Sequence, residues 1–448
     1  EPDTITSVKG FCSQNSTLYE LFAPLFCDAT GDGVVAFQAG AAFRMGAESQ
    51  EEFGEKFAPT QEYGELLGHS IYFYTKNTGK PVRFVPPAYA LGDITKIPRY
   101  KRFNAKEQGC QLWWIEYGGR LDTVHDTEKI KWELWKVVYG VWNYIKNSAN
   151  FPEAETMTLE WVGTIPGKRE SRRFEGDYIL KQQDIVEQRI HDDAVAFGGW
   201  SIDLHPADGV FSEKPGCNQW HSKGVYQIPY RALYSRNLSN LFLAGRIISV
   251  SHVAFGSTRV MATGACVGQA VGMAATICIK EKMPPRSLLE KKNMEALQQA
   301  LLRVGHYIPG VVLKDKNDLV QKAKLEASSE FVLHELPADG DWFLLKQSAA
   351  QMLPLGQGSV LTFSTKIKAE IETSLTVELR RSSKEFNHTP DLIVERKEIA
   401  LRAGMNDITV SFEKTMERQG YGFVCFMKNE AVYLQNSKLR ATGILSVF

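Results

Sequence analysis

The sequence predicts an α/β protein followed by a separate antiparallel β-sandwich, and three observations carry that prediction. The apolar run Leu241-Phe242-Leu243-Ala244 stops at Gly245-Arg246 and leads, through a polar turn, into a long Gly/Ala-rich helix. This is the pattern of a strand buried on both faces of an open sheet. Apolar residues at Ile130, Leu134, Val138, Val141 and Ile145 recur at three and four, which predicts a helix opened by Asp126 or Thr127. From about Phe331 the period becomes two: Val360, Phe363, Ile367 and Ile371, then Leu375-x-Val377-x-Leu379, Ile408-x-Val410-x-Phe412 and Phe423-x-Cys425-x-Met427. Alternating strands divided by turns, with no helical stretch, predict the sandwich.

At 448 residues the chain has material for two or more domains. Its 52 Lys+Arg balance 52 Asp+Glu, which argues against nucleic acid as the main partner. Nine tryptophans gather toward the middle third, as a sugar- or ring-binding surface or a large core requires. Seven cysteines, at 12, 27, 110, 217, 266, 278 and 425, show neither Cys-x-x-Cys nor paired-His spacing, so no metal site and no disulfide framework is expected. The first residue is Glu1 and no apolar signal core follows; the true start is expected to lie upstream, and the compartment stays open.

In chain order, Ile5–Cys12 and Leu18–Phe22 flank the polar turn 13–17 and predict a hairpin. Leu25-Phe26-Cys27 then ends in Asp28-Ala29-Thr30-Gly31-Asp32-Gly33, with a helical pattern through Phe43. Gly31-x-Gly33-x-x-Ala36 matches a degenerate dinucleotide fingerprint, but no acid-bearing second strand follows it, so another role for the turn is expected. Strand-like runs at Ser70–Thr75 and Pro81–Val85 precede the Trp-decorated helix. Val260–Ile279 has no charged residue and approaches the length of a membrane span. Its Gly264, Gly268, Gly272 and Gln269 instead predict a grooved core helix of a soluble domain, stopped by Pro284-Pro285. A last helix is expected over Leu288 to Arg303.

Three stretches bear chemistry. Gly163–Arg173 is dense in guanidinium groups, which clamp carboxylates or oxyanions, or pair structurally with Glu170, Glu175 and Asp177. His205 sits two residues from Asp203 after Gly198-Gly199 and could act as general acid or base, although a structural histidine is the commoner case. In Ser251–Arg259, Gly256 would allow close backbone approach and Ser257 or Thr258 could cap the next helix, whose N-terminus suits an anionic group; a ligand-free strand-loop-helix unit is the other reading.

The stretches Asp28–Gly33, Gly167–Arg173, Gly198–His205, Asn240–Arg246 and His252–Arg259, with the Gly-Gln-Ala-Val-Gly helix after them, resemble the bacterial FAD-dependent oxidoreductase family, some members of which carry the label xanthan lyase. The resemblance covers about residues 1–310. It implies FAD held by Asp28, Thr30, Gly31, Gly245, Arg246, Ala254, Phe255, Gly256, Ser257 and Thr258. Arg172, Arg173, His205 and His252 would face the substrate side of the flavin as catalytic residues. The amino-terminal unit with Gly-x-Gly-x-x-Gly and its ribose-binding acid is missing from the pattern, so a truncated glutathione-reductase-like FAD domain is expected, one that retains FAD weakly or not at all by itself.

The expected organisation is residues 1–62 as part of the FAD domain, 63–200 as an inserted α+β substrate cap, 201–326 as the rest of the FAD domain, and 327–448 as the sandwich. The expected activity is hydride transfer between the flavin and a small or sugar-derived substrate. A carbohydrate-binding or polysaccharide-lyase-type protein is the alternative, and a cofactor-free remnant a third.

Overall fold

The computed structural model describes residues 3–61, 65–384, 387–441 and 443–447. Two compact units divide the chain, Glu1–Asp315 and Lys316–Phe448. The expected boundary at 62/63 lies outside the described residues. The two units meet at 315/316, ahead of the expected last boundary at 326/327, and residues 316–341 carry a single 3-10 turn, Leu319–Lys322, and otherwise irregular backbone.

The first unit is built on the run that the sequence singles out. Leu241–Leu243 is a fully buried strand that pairs in parallel with Phe26–Asp28. The other strand ladders described in this unit are antiparallel, with one isolated parallel bridge between Leu180 and Val250, so the open sheet is a narrow parallel pair framed by ribbons such as Ser7–Cys12 with Thr17–Phe22 and Ala194–Gly198 with Tyr226–Pro229. At the end of the parallel strand, the buried Asp28 carboxylate accepts from the Thr30 N–H at 2.9 Å, the Thr30 hydroxyl at 2.8 Å and the Ala36 N–H at 2.8 Å. Those bonds fold the chain into a turn in which Gly33 takes φ 67° and lies against Phe174; a Cβ there would stand 1.9 Å from the ring. The helix after it spans only Val34–Gln38, shorter than expected, since Gly40 turns left-handed at φ 80° and Phe43 enters a strand opposite Phe174.

The helix Thr127–Asn147 buries Ile130, Leu134, Val138, Val141 and Ile145 as its spacing predicts. Trp142 joins that core, whereas Trp132 stays half-exposed. Asp126 occupies the N-cap position without capping; its carboxylate accepts from the Asp122 N–H at 3.2 Å. Phe73–Asn77 pairs with Met157–Val162, but Pro81–Val85 forms no strand, as befits a segment that begins with one proline and runs into Pro86.

The long helix is Met261–Glu281, and a separate short helix, His252–Thr258, precedes it. Ser251 caps the short one through the Ala254 N–H at 3.1 Å; Ser257 and Thr258 lie inside it and cap nothing. Lys282 ends the long helix by turning left-handed at φ 53°, two residues ahead of the prolines. Val267, Ala270, Val271, Ala274 and Cys278 pack into the main core, while Met261, Gly268, Gly272 and Ile279 are exposed. By length and hydropathy this helix is long and apolar enough to cross a membrane; 33% of its most apolar window is buried in the protein, so it is partly covered and not fully enclosed. The last helix starts at Lys291, after the 3-10 turn Pro285–Leu289.

In the second unit, a four-stranded and a five-stranded antiparallel sheet enclose one core, with Ile367 and Val410 from the first and Leu375, Val377, Leu379 and Val424 from the second. Two periodic assignments differ. Val360 and Ile371 are exposed beyond the two ends of the Thr362–Ala369 strand, and Phe423 and Cys425 face the opposite side of their sheet, against Ala350 and Met352. The strand Gly420–Phe426 buries both faces, so period two alone could not say which face meets the sandwich core.

Candidate active site

His205 follows the strand Ile202–Leu204, and the strand's alternation puts it on the same side as Asp203. Its Nδ1 lies 2.8 Å from Glu116 Oε2, and its Nε2 lies 3.2 Å from Asp203 Oδ2 and 3.1 Å from Arg259 Nη2. Arg259 closes the group with a 3.0 Å bond from Nη2 to Asp203 Oδ2. Gly256 explains this placement: a Cβ there would come within 3.1 Å of the Asp203 backbone, so its absence lets the short helix lie on the strand and brings Arg259 over Asp203. The close approach expected at Gly256 therefore serves protein backbone.

Trp113, Arg169, Asp203, His205, Gln219 and Arg259 line a cavity of about 210 Å³ here. Arg169 is held by Ser70 Oγ at 2.5 Å, Gly68 O at 3.2 Å, Trp113 O at 3.1 Å and the Glu116 carboxylate at 3.3 Å. Burial by itself would lower the His205 pKa; hydrogen bonds to Asp203 and Glu116 outweigh it and raise it above the ordinary histidine value. Burial likewise opposes the Asp203 charge, but His205 and Arg259 hold its carboxyl below the usual range. The two ring nitrogens differ in kind. Nδ1–H donates to Glu116, whereas Nε2 faces an acceptor and a donor together: it donates to Asp203 when protonated and accepts from Arg259 when not.

A second cluster lies deeper. Glu170 accepts from Leu67 N–H at 3.0 Å, meets His252 Nδ1 at 3.0 Å and pairs with Arg173 Nε at 3.2 Å. Burial pushes its carboxyl up, but His252 and Arg173 bring the net value below ordinary. Arg173 also binds Glu48 at 2.7 Å, Val250 O at 2.8 Å and Gly46 O. Removing one member of such a buried network leaves an uncompensated charge and costs about 3–5 kcal/mol. Arg172 lays its guanidinium 3.8 Å from the Phe37 ring centre and donates to Asp32 O at 3.2 Å. Neither arginine expected at the substrate lines the cavity; Arg169, from the same loop, does.

The residues expected at FAD separate into two groups. Gly31, Gly245 and Arg246 come together: a Cβ on Gly31 would lie 2.7 Å from Arg246 Nη2, and Gly245, at φ 74°, faces open space. Lys168 binds Asp32 at 2.6 Å, and Arg246 stands 3.9 Å from the other Asp32 oxygen, which is buried without a hydrogen-bond partner. Burial lowers the Arg246 pKa against the opposing pull of the Asp32 and Glu170 charges. Thr30 belongs to the same turn, and Asp28 is spent on shaping it. Ala254 and Phe255, by contrast, lie in the main core, and Ser257 bonds Tyr226 Oη at 2.7 Å and Trp200 O at 2.6 Å, beside a buried Thr258. The open Gly245 and the cations beside it fit the phosphate-bearing part of FAD. Among the described residues no third parallel strand flanks the pair to receive the adenosine end, and no group of His, Cys, Asp and Glu could hold a metal.

A family model described as FAD dependent oxidoreductase matches residues 1–301. The chain belongs to that family. No curated protein matches it. A solved structure titled "CBM4 structure and function" aligns at 20% identity over 20% of this chain, with a TM-score of 0.17, and bears on neither fold nor function. The chain spans 58% of that structure's length.

Membership makes this protein an oxidoreductase of a flavin-using family. The site, made of the cavity and the Glu116 carboxylate behind His205, also contains residues that sequence reasoning passed over. Arg259 and Arg169 stand inside quoted motifs but carry no spacing signal of their own, and Glu116 and Gln219 carry none at all. Trp113, next to Trp114 and one of the tryptophans of the middle third, meets His205 edge-on at 5.4 Å.

Proposed function

We propose that this oxidoreductase transfers hydride between FAD and a small or sugar-derived substrate held in the cavity beside His205. In this reading residues 63–200 form the substrate cap on a glutathione-reductase-like cofactor domain, and Gly31, Lys168, Gly245 and Arg246 hold the cofactor's phosphates. Bound FAD supplies the two-electron acceptor. The chain supplies the proton traffic: Nε2 of His205 takes or gives the proton that accompanies hydride, Glu116 holds the ring through Nδ1, and Arg259 with Asp203 favours each protonation state in turn.

The observation that supports this best is Arg169. Its side chain lines the cavity, while its carbonyl oxygen accepts from Arg246 Nη1 at 2.9 Å, so one residue joins the substrate cavity to the cationic corner. The protein expressed from its complete reading frame should retain a yellow flavin band through gel filtration. Arg246→Ala should lose it. His205→Gln should keep the band and lose on the order of 10²–10⁴ in turnover. A colourless protein that takes up no added FAD would sink the proposal. The carbohydrate-binding alternative is supported only by the sandwich class of the second unit.

A further inference from the structure

The face that the Thr127–Asn147 helix turns away from its core is aromatic. Trp132 is 51% exposed there, and Tyr89, from a segment held along the helix by the Leu91 N–H to Lys136 O bond, is 40% exposed. Tyr89 meets Trp132 at 5.7 Å and Tyr139 at 5.6 Å, and Trp132 meets Trp135 at 4.9 Å. On the other side the Trp135 Nε1–H donates to Gly163 O at 2.7 Å, and Gly163 lies against the half-exposed Trp161, which meets the exposed Tyr74 at 5.7 Å. The uncovered parts of these rings amount to on the order of 400 Å² of apolar surface. A contiguous patch of that size marks a contact site.

Two features identify what fits it. Neighbouring rings along the helix cross at 88°, 83° and 80°, so they share no plane on which a flat ligand could stack; a ridge of this kind interdigitates with the side chains of another protein surface. The charge pattern is also self-complementary about Trp132. When the helix packs antiparallel on a copy of itself with Trp132 at the centre, Glu128 faces Lys136, Lys131 faces Glu133 and Lys129 faces the Trp135 ring. Each of those pairs attracts. Within one chain the four helix charges already pair, Lys131 with Glu128 at 2.5 Å and Lys136 with Glu133 at 3.0 Å, so they carry no excess that would repel a copy.

We propose that this face is an isologous dimer interface, in which two copies of the chain pack their Thr127–Asn147 helices antiparallel about a two-fold axis at Trp132. Trp132 and Tyr89 form its apolar centre, and the exchanged Glu–Lys pairs form its rim. A standard interface buries about 800 Å² on each partner, of which the rings supply roughly half. The interface depends on neither the cofactor nor the substrate cavity.

Sedimentation velocity of the full chain at micromolar concentration tests this. The wild type should run at twice the chain mass. Trp132→Lys, at a half-exposed position, should weaken the dimer at least about thirtyfold while circular dichroism shows the chain folded. Lys136→Glu should weaken it too, by setting two acids opposite each other, and adding Glu128→Lys should restore it by exchanging the partners of the pair. A monomeric wild type, a dimer that neither Trp132→Lys nor Lys136→Glu weakens, or a double variant that does not recover would overturn the proposal.

Discussion

Glu116 Oε2 lies 2.8 Å from His205 Nδ1 across 89 residues of chain. That contact fixes which ring nitrogen is left for chemistry, and it joins the short strand Glu116–Tyr117 to the strand Ile202–Leu204 that presents the histidine. It also makes stability depend on pH.

Since the folded His205 pKa is raised above the unfolded value near 6.5, its interaction with Glu116 and Asp203 stabilises the fold fully below about pH 6.5 and is lost as pH rises through the folded pKa. Glu116→Gln should therefore lower the melting temperature more at pH 5.5 than at pH 9, with the Arg169 contact leaving a residual effect at both. A series of thermal melts reads this directly. An equal drop at the two pH values would contradict the assignment.

His69 should behave in the opposite sense. Burial, helped by the Lys168 charge, lowers its pKa to about 4, so the unfolded chain takes a proton near pH 6.5 that the folded protein refuses until about pH 4. Stability contributed by neutral His69 then drains away as pH falls through that window. Urea denaturation of His69→Gln should show a smaller penalty relative to wild type at pH 5 than at pH 7. A penalty that grows toward acid pH would show that His69 gains a partner when charged.

Gly33→Ala tests the turn after the parallel strand. A Cβ would stand 1.9 Å from Phe174 Cε2, and the residue holds φ 67°. Left-handed strain and overpacking together should cost roughly 2–4 kcal/mol. Chemical denaturation measures it; a change under 1 kcal/mol would mean that Phe174 moves aside freely.

Local pattern made much of this fold legible. The hairpin Ser7–Cys12 with Thr17–Phe22, the stripe of the Thr127–Asn147 helix and the buried run Leu241–Leu243 were all visible, because periodicity and turn residues record which face meets a core. Helix lengths were less so: Val34–Gln38 stops at a left-handed Gly40, and His252–Thr258 breaks from Met261–Glu281. Backbone breaks of this kind leave little trace in hydrophobic spacing. In the Gly163–Arg173 loop, sequence offered several cations and no way to choose among them; packing sent Arg172 to Phe37, buried Arg173 with Glu48 and Glu170, and left Arg169 for the cavity.

By itself the sequence determined the class of the protein, its second antiparallel unit, its flavin family and His205 with Asp203 as a pair worth attention, since each of these is written in neighbouring residues. Only the tertiary structure decided that Glu116, Arg169 and Arg259 surround that histidine, that Ser257 and Phe255 face the interior, and that Gly256 makes room for the Asp203 backbone. The physical reason is range. Burial periodicity and turn chemistry act over a few residues, whereas a charge constellation is paid for by desolvation and contacts between strands and helices far apart in the chain.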